Sequence, residues 1–157
     1  TNLTEANLFD TLMQTLEIGK TLAAKKAITL NYQIDAGTVV KADTDMLQLV
    51  VRNLIHNSIK FTPRGGVINI DTQLVNDKCR ISVRDNGTGI PQDKADTLFL
   101  MTSGSTFGTN NEKGVGLGLP LCKEFMERQG GSIDFESTPG QGSHFFIFIP
   151  VEPAPRH

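Results

Sequence analysis

Residues 53–62 of the 157-residue chain read Asn-Leu-Ile-His-Asn-Ser-Ile-Lys-Phe-Thr. Asn53, Asn57 and Lys60 are spaced by four and three residues, so they share one face of a predicted helix. This face is either an ordinary solvated surface or a cation site. Amide oxygens are ligands suited to Mg²⁺, which it shares with substrate phosphates, and Lys60 would then face a phosphate as a point charge.

The helix that carries these residues has clear predicted ends. Asp43 is a suitable N-cap, and the helix should stop near Thr62–Pro63 because the residue before a proline avoids the helical conformation. Its apolar period predicts a buried stripe beside the polar face, formed by Leu47, Val50, Leu54 and Ser58.

The remaining elements follow from apolar periodicity and turn residues. We predict an α/β sandwich of two layers, in which a mixed five-stranded sheet packs on three helices. The three helices are the central one, 7–26 and 115–129, and an additional short helix is predicted at 92–99. The five strands are 27–34, 67–75, 79–84, 132–137 and 143–149, and an additional short strand is predicted at 39–41.

A glycine-rich break follows the strand at 79–84. Residues Asp85-Asn86-Gly87-Thr88-Gly89-Ile90 form either a simple turn or a base-binding loop. In the second interpretation Asp85 accepts a hydrogen bond from an exocyclic amine, and Gly87 and Gly89 let a flat base approach the backbone.

A second glycine-rich segment, Gly114-Val115-Gly116-Leu117-Gly118-Leu119, opens a predicted helix. It is either a flexible hinge or a phosphate site, since free amide N–H groups at a helix start suit phosphate oxygens. It matches neither a dinucleotide-binding fingerprint nor a P-loop. The polar stretch Met101–Lys113 lies between the two glycine-rich segments, and this position favours a mobile lid over a plain surface loop.

Composition excludes several classes of function. The formal net charge of −2 gives no strong field for nucleic acid or anionic membranes. No apolar run approaches the roughly 20 residues of a membrane helix. Two cysteines, Cys79 and Cys122, are too few for a disulfide framework. The expected location is therefore the cytoplasm, in a parent that is either soluble or membrane-anchored.

In this order the segments resemble the Bergerat-fold ATPases, which include histidine kinases, gyrase and MutL, and most closely the catalytic domain of sensor histidine kinases. The matching boxes are 53–62 for the N box, 85–90 for the G1 box, Phe99 for the F box, 114–119 for the G2 box, and 130–133 with 140–145 for the closing hairpin. The resemblance implies a catalytic domain over 8–150, a linker from a dimerisation domain over 1–10 and a tail over 151–157.

The resemblance also implies roles. Asn57 would coordinate Mg²⁺ with Asn53 nearby, Lys60 would contact the phosphates of ATP, and Asp85 would take the adenine amino group, supported through water by Ser143. The remaining implied contacts are Phe61, Gly87, Gly89, Ile90, Phe99, Gly114, Val115, Gly116, Leu117, Gly118 and Leu119. The lid lacks the arginine that many members carry, so Ser105, Thr106 and Lys113 are the candidates for the γ-phosphate contact.

The implied activity is transfer of the γ-phosphoryl group to a histidine on a dimerisation domain of the same parent, with a response regulator downstream. None of the chain's histidines, His56, His144 and His157, lies in a phosphoacceptor context. Two alternatives remain. An ATP-hydrolysing clamp needs a glutamate base where this chain has Asn53, and a nucleotide sensor without transfer activity would retain the same boxes.

Overall fold

Residue boundaries are those of a computed structural model that describes residues 2–95, Leu98 and residues 118–151. Four helices lie in these ranges: α1 (Leu8–Lys25), α2 (Thr44–Phe61), α3 (Gln92–Ala95) and α4 (Gly118–Arg128). The strands are β1 (Thr4–Asn7), β2 (Thr29–Gln33), β3 (Val39–Ala42), β4 (Val67–Val75), β5 (Lys78–Asp85), β6 (Ser132–Thr138) and β7 (Gly142–Pro150).

The main sheet is mixed and has the strand order β2-β4-β5-β7-β6. β2 and β4 run parallel, whereas the other neighbouring pairs are antiparallel. The β4–β5 and β6–β7 hairpins and the two-layer α/β sandwich confirm the predicted fold class. The short strand predicted at 39–41 does form, but it belongs to a separate two-stranded ribbon with β1.

Helix α2 has the ends that the sequence predicts. The Asp43 side chain accepts a hydrogen bond from the Met46 N–H at 3.1 Å, and Thr62 forms the C-cap in an extended conformation before Pro63. Helix α1 is capped in the same way, since the Asn7 side chain accepts from the Asp10 N–H at 2.9 Å. Both helices therefore start at residues whose side chains satisfy a free amide of the first turn.

The core lies between the helices and one face of the sheet. Leucines of α1 and α2 contribute side chains with no exposed surface, and β5 and β7 present alternate residues to them. The central members of this core are Leu8, Leu12, Leu16, Leu47, Val50, Leu54, Ile81, Val83, Phe145 and Ile147. This packing fixes α2 against the end of β5, where the predicted polar residues meet.

Candidate functional site

Helix α2 places its predicted site residues at three different depths. Asn57 is 1% exposed, Asn53 is half-buried and Lys60 is exposed. The Asn57 Oδ1 atom has no hydrogen-bond partner among the described residues. The interpretation of this helix face as a solvated surface is therefore wrong for Asn57, because its side chain is buried. The missing hydrogen bond of Oδ1 is unusual, since a buried acceptor normally has a partner.

Asp85 ends β5 and is 8% exposed. Its Oδ1 atom accepts hydrogen bonds from the main-chain N–H groups of Gly87, at 3.0 Å, and Ser143, at 3.2 Å. Its Oδ2 atom has no partner within residues 2–95, 98 and 118–151. One carboxylate oxygen is thus fixed by the backbone, while the other makes no hydrogen bond to the described residues. Ser143 reaches Asp85 through its backbone, and its hydroxyl lies 3.4 Å from the Ser137 hydroxyl.

Burial raises the pKa of Asp85 above the usual aspartate value. The Gly87 N–H, the Ser58 hydroxyl and the Ser143 N–H each favour the ionised form and offset part of this rise. The contributing groups are uncharged, so the state of the carboxyl depends on burial and on these three donors.

The loop after Asp85 is held by backbone packing. A Cβ atom at Gly87 would lie 2.2 Å from the Phe61 carbonyl oxygen. Gly89 has φ +76°, and a Cβ there would lie 2.5 Å from the Thr138 carbonyl oxygen. The two glycines are therefore required by contacts with the end of α2 and with the β6–β7 turn, and not only by the approach of a base, which was the reason given from the sequence.

Gly87→Ala is expected to lower the free energy of unfolding by about 1–3 kcal/mol, because the new methyl group overlaps main-chain atoms that cannot move aside easily. The control is Gly37→Ala, since a Cβ at Gly37 would meet only the Asp35 carboxylate at an ordinary 3.7 Å. Denaturant unfolding of both variants is the measurement. Equal stability of the two variants would contradict the close approach to Phe61.

The start of α4 lies against Asn53. A Cβ atom at Gly118 would lie 2.6 Å from Asn53 Oδ1, and Asn53 Nδ2 donates to the Leu49 carbonyl oxygen at 3.0 Å. Cys122, one turn further along α4, is 1% exposed, and burial raises its pKa to about 12, with Asn53 offsetting part of the rise. The structure thus brings the end of one predicted glycine-rich segment into contact with the predicted metal-binding helix.

The other predicted site residues that the structure describes are partly or fully buried. Phe61 is half-buried and packs on the core, Ile90 is 1% exposed and donates its N–H to the Ser137 hydroxyl at 2.7 Å, and Leu119 is buried. The predicted lid at 101–113 lies outside the described residues. The same holds for Phe99, Ser105, Thr106, Lys113, Gly114, Val115, Gly116 and Leu117.

Two buried hydroxyls of the site were not predicted as functional. Ser58 and Thr62 have no exposed surface, and their hydroxyl oxygens have no partner in the part of the chain that the structure describes. The sequence carried a signal for Ser58, because a serine occupied a position of the apolar stripe of α2. A polar residue at such a position needs either a partner or a function.

Two cavities lie in different parts of the described structure, and only one of them is lined by predicted site residues. One cavity of about 230 Å³ lies between α1 and α2, and none of the predicted site residues lines it. Another, of about 290 Å³, opens at the ends of β5 and β7 and is lined in part by Asp85 and Ser143. The second cavity is the one that adjoins the predicted base contact.

The donor of the predicted metal site that has no partner among the described residues, Asn57 Oδ1, is an amide oxygen. No group of three or more His, Cys, Asp or Glu side chains that could hold a metal occurs within the described ranges. An unpartnered amide oxygen at Asn57 is the kind of ligand that Mg²⁺ uses when it also binds waters and substrate phosphates. The site therefore fits a metal ion that arrives with a phosphate-bearing substrate.

A family model described as "Histidine kinase-, DNA gyrase B-, and HSP90-like ATPase" matches residues 42–153, which include α2, β5, α4 and the closing hairpin. The chain belongs to this ATPase family. Its relatives and structural neighbours further show that it is a catalytic domain of the sensor histidine kinase type.

The relatives of this histidine kinase domain include sporulation kinase C of Bacillus subtilis, 34% identical over 142 residues, which cover 90% of the chain and 31% of that protein. Adaptive-response sensory kinase SasA of Synechocystis is 35% identical over 146 residues, covering 90% of the chain and 37% of that protein. The chain thus spans about a third of the length of these relatives.

A solved structure gives the same assignment. The nucleotide-free catalytic domain of histidine kinase ThkA has a TM-score of 0.79 and 28% identity, and the match covers 96% of each chain. None of the helices in the described part of the histidine kinase domain is long and apolar enough to cross a membrane.

Proposed function

We propose that this domain binds Mg-ATP and donates the γ-phosphoryl group to a histidine on a separate dimerisation domain of the same parent. The observation that supports this best is the pair of buried oxygens without partners among the described residues, Asn57 Oδ1 on α2 and Asp85 Oδ2 on β5. Buried acceptors without a partner reduce stability. Their presence where α2 meets the end of β5 therefore favours a ligand-binding role.

Each residue then has a part in binding and orienting the nucleotide. Asp85 Oδ2 accepts from the exocyclic amine of adenine, and the exposed Lys60 ammonium pairs with phosphate oxygens. Mg²⁺ bound through Asn57 would supply charge neutralisation on the phosphates. Phosphoryl transfer depends largely on such positioning and charge neutralisation, so the domain needs few reactive side chains of its own.

The acceptor is placed on another domain because the described histidines are unsuitable. His56 lies on α2 and lines the cavity between α1 and α2, which none of the predicted site residues lines. His144 lies within β7 with its Nδ1 atom 3.6 Å from a carboxylate oxygen of Glu136. A phosphoacceptor must reach a γ-phosphate from outside the site, and a side chain held in a strand of this sheet cannot do so. We assign residues 1–10 to the junction with the acceptor domain, and response regulators to the downstream step.

The direct test is transfer of labelled γ-phosphate from ATP to the parent's dimerisation domain supplied in trans. Acid-labile, base-stable label on that domain is the expected result. Tight Mg-ATP binding without any transfer would instead identify a nucleotide sensor that has lost kinase activity.

We expect the isolated domain to hydrolyse ATP more slowly than about 1 s⁻¹, the low end of typical enzyme turnover. The reason is the position of Asn53, whose amide takes no proton at neutral pH and donates to the Leu49 carbonyl oxygen. Steady-state phosphate release without any acceptor is the measurement. Faster turnover would favour an ATP-hydrolysing clamp. Asn53→Glu is the informative companion variant, because it places a carboxylate base at that position.

A further inference from the structure

The main sheet carries a row of aromatic rings on the face that points away from the helices. Alternate residues of β7 pack in the core, so His144, Phe146 and Phe148 lie on the opposite face. The ring centroids of His144 and Phe146 are 4.8 Å apart, and those of Phe146 and Phe148 are 5.9 Å apart. All three residues are half-buried, so this outer face keeps accessible apolar surface along the middle of β7.

Opposite charges flank this aromatic row on its two sides. On one side β5 contributes Arg80 and Arg84, and on the other side β6 contributes Asp134 and Glu136. Arg84 and Glu136 both pair with His144, so these three residues lie in one line across the sheet. Neither arginine forms an ion pair with any of the described residues. The outer face is therefore basic along β5 and acidic along β6, with an apolar row between.

We propose that this outer face of β5, β7 and β6 forms a symmetric contact with a second copy of the chain, in which the two-fold axis runs along β7. A rotation about such an axis preserves the position of a residue along the strand and exchanges the two sides of the row. Arg84 of each copy then lies opposite Glu136 of the other, and the aromatic rows meet on the axis. An axis across the strands would instead place arginines opposite arginines, which is repulsive.

The contact does not depend on the proposed nucleotide site. Asp85 and Arg84 are neighbours on β5, so their side chains lie on opposite faces of the sheet. A second copy on the outer face therefore leaves the Asp85 carboxylate on the side of α2. The test of the contact accordingly needs no nucleotide.

Single-stranded nucleic acid is the other partner that a row of rings beside arginines could bind, since bases stack on aromatic side chains. The acidic side of the row opposes this partner, because Asp134 and Glu136 are exposed and would repel a phosphate backbone. The formal net charge of −2 gives no compensating attraction. A second copy satisfies both the basic and the acidic side, and for this reason we favour it.

The size of the contact predicts a weak pair. Because β6 is an edge strand, an axis along β7 brings only β5, β7 and β6 of each copy face to face. Three strands about 4.8 Å apart and about seven residues long give a projected contact of about 330 Å² on each copy. A standard interface covers about 800 Å² per partner, so we expect a Kd of about 0.1–1 mM. In a parent that joins two copies through a dimerisation domain, an effective concentration in the millimolar range would populate this pair.

The experiment is sedimentation equilibrium of the chain at concentrations up to about 1 mM, where the parent should form a reversible dimer. Arg84→Glu and Glu136→Arg should each weaken the dimer at least about tenfold, because each variant places like charges opposite one another at two symmetric positions. An equimolar mixture of the two variants should associate as the parent does. In the mixed pair the reversed charges face each other at one position, and the two native residues meet at the other.

The matched control is Arg52→Glu, which makes the same change of charge at an exposed residue of α2, on the helix layer. This control should dimerise as the parent does, and thermal melts of all variants should confirm that they are folded. A parent that stays monomeric at about 1 mM, a single reversal that leaves the dimer unchanged, or a mixture that does not associate would each overturn the proposal. A monomeric parent that binds a single-stranded oligonucleotide would overturn it in favour of nucleic acid.

Discussion

Asn57→Ala is expected to lower the rate of phosphotransfer at least about 100-fold, since a metal ligand contributes several kcal/mol to the neutralisation of charge in the transition state. The same variant should lose the Mg²⁺-dependent part of ADP affinity and keep the affinity measured in the presence of a chelator. Titration of ADP with and without Mg²⁺ is therefore the measurement, and it is independent of any acceptor domain.

The controls for Asn57→Ala follow from its burial. Truncation leaves a small void and removes an acceptor without a partner in the described structure. These opposing contributions should change the free energy of unfolding by only about 1–2 kcal/mol. Asn31→Ala, at an exposed asparagine of β2 whose amide donates to Asn69 Oδ1 at 3.2 Å, should leave the Mg²⁺ enhancement of ADP binding unchanged. An Asn57→Ala domain that keeps the full Mg²⁺ enhancement of ADP binding would exclude Asn57 as the metal ligand.

Asp85→Asn is expected to weaken ADP binding about 10- to 150-fold, which corresponds to a hydrogen bond with a charged group of about 1.5–3 kcal/mol. The variant should also narrow the difference between ADP and GDP. Guanine presents a carbonyl oxygen where adenine presents an amine, and a side-chain amide can donate to that oxygen whereas a carboxylate cannot. Calorimetric titration of both nucleotides into both proteins provides the comparison.

Because the pKa of Asp85 is raised, both the ADP affinity and the stability of the domain should depend on pH through this carboxyl group. Base binding requires the ionised carboxyl, so ADP affinity should fall as the pH drops through the raised value, earlier than for an ordinary aspartate. The folded protein holds this proton more tightly than the unfolded chain. Its contribution to stability is therefore greatest at low pH and is lost as the pH rises through the folded pKa.

At neutral pH, Asp85→Asn should consequently unfold at a higher temperature than the parent, because it removes a buried charge. A folded variant that binds ADP as tightly as the parent would show that the adenine contact lies elsewhere. A variant that binds weakly and is also less stable would indicate that the loop, and not the base contact, was damaged.

The ends of α2 were predictable because their signals are local. Asp43 caps its own helix within three residues, and Pro63 ends the helix through its immediate neighbour. Strand β1 was not predicted, since Thr4–Asn7 is short and polar and is defined by pairing with β3, more than 30 residues away. Pairing at such a distance leaves no mark in the local pattern.

The residue types of the candidate site could be predicted from the sequence, but the burial of each side chain could not. The spacing of Asn53, Asn57 and Lys60 placed them on one helix face, yet that face turns from the protein interior to solvent between Asn57 and Lys60. The requirement for glycine at 87 likewise arises from the Phe61 carbonyl oxygen. Both features depend on where the end of β5 meets α2, which is a property of tertiary packing.

The contact between Gly118 and Asn53 also bears on how this site can change during evolution. The two positions share one space, because a Cβ atom at 118 would lie 2.6 Å from Asn53 Oδ1 unless the Asn53 side chain shifted. A side chain at 118 therefore requires a smaller or displaced side chain at 53, whereas glycine at 118 already leaves the most room for residue 53. Substitutions at 53 and 118 are thus coupled by volume, and a carboxylate base at 53 would enter most easily in a lineage that has already rearranged the start of α4.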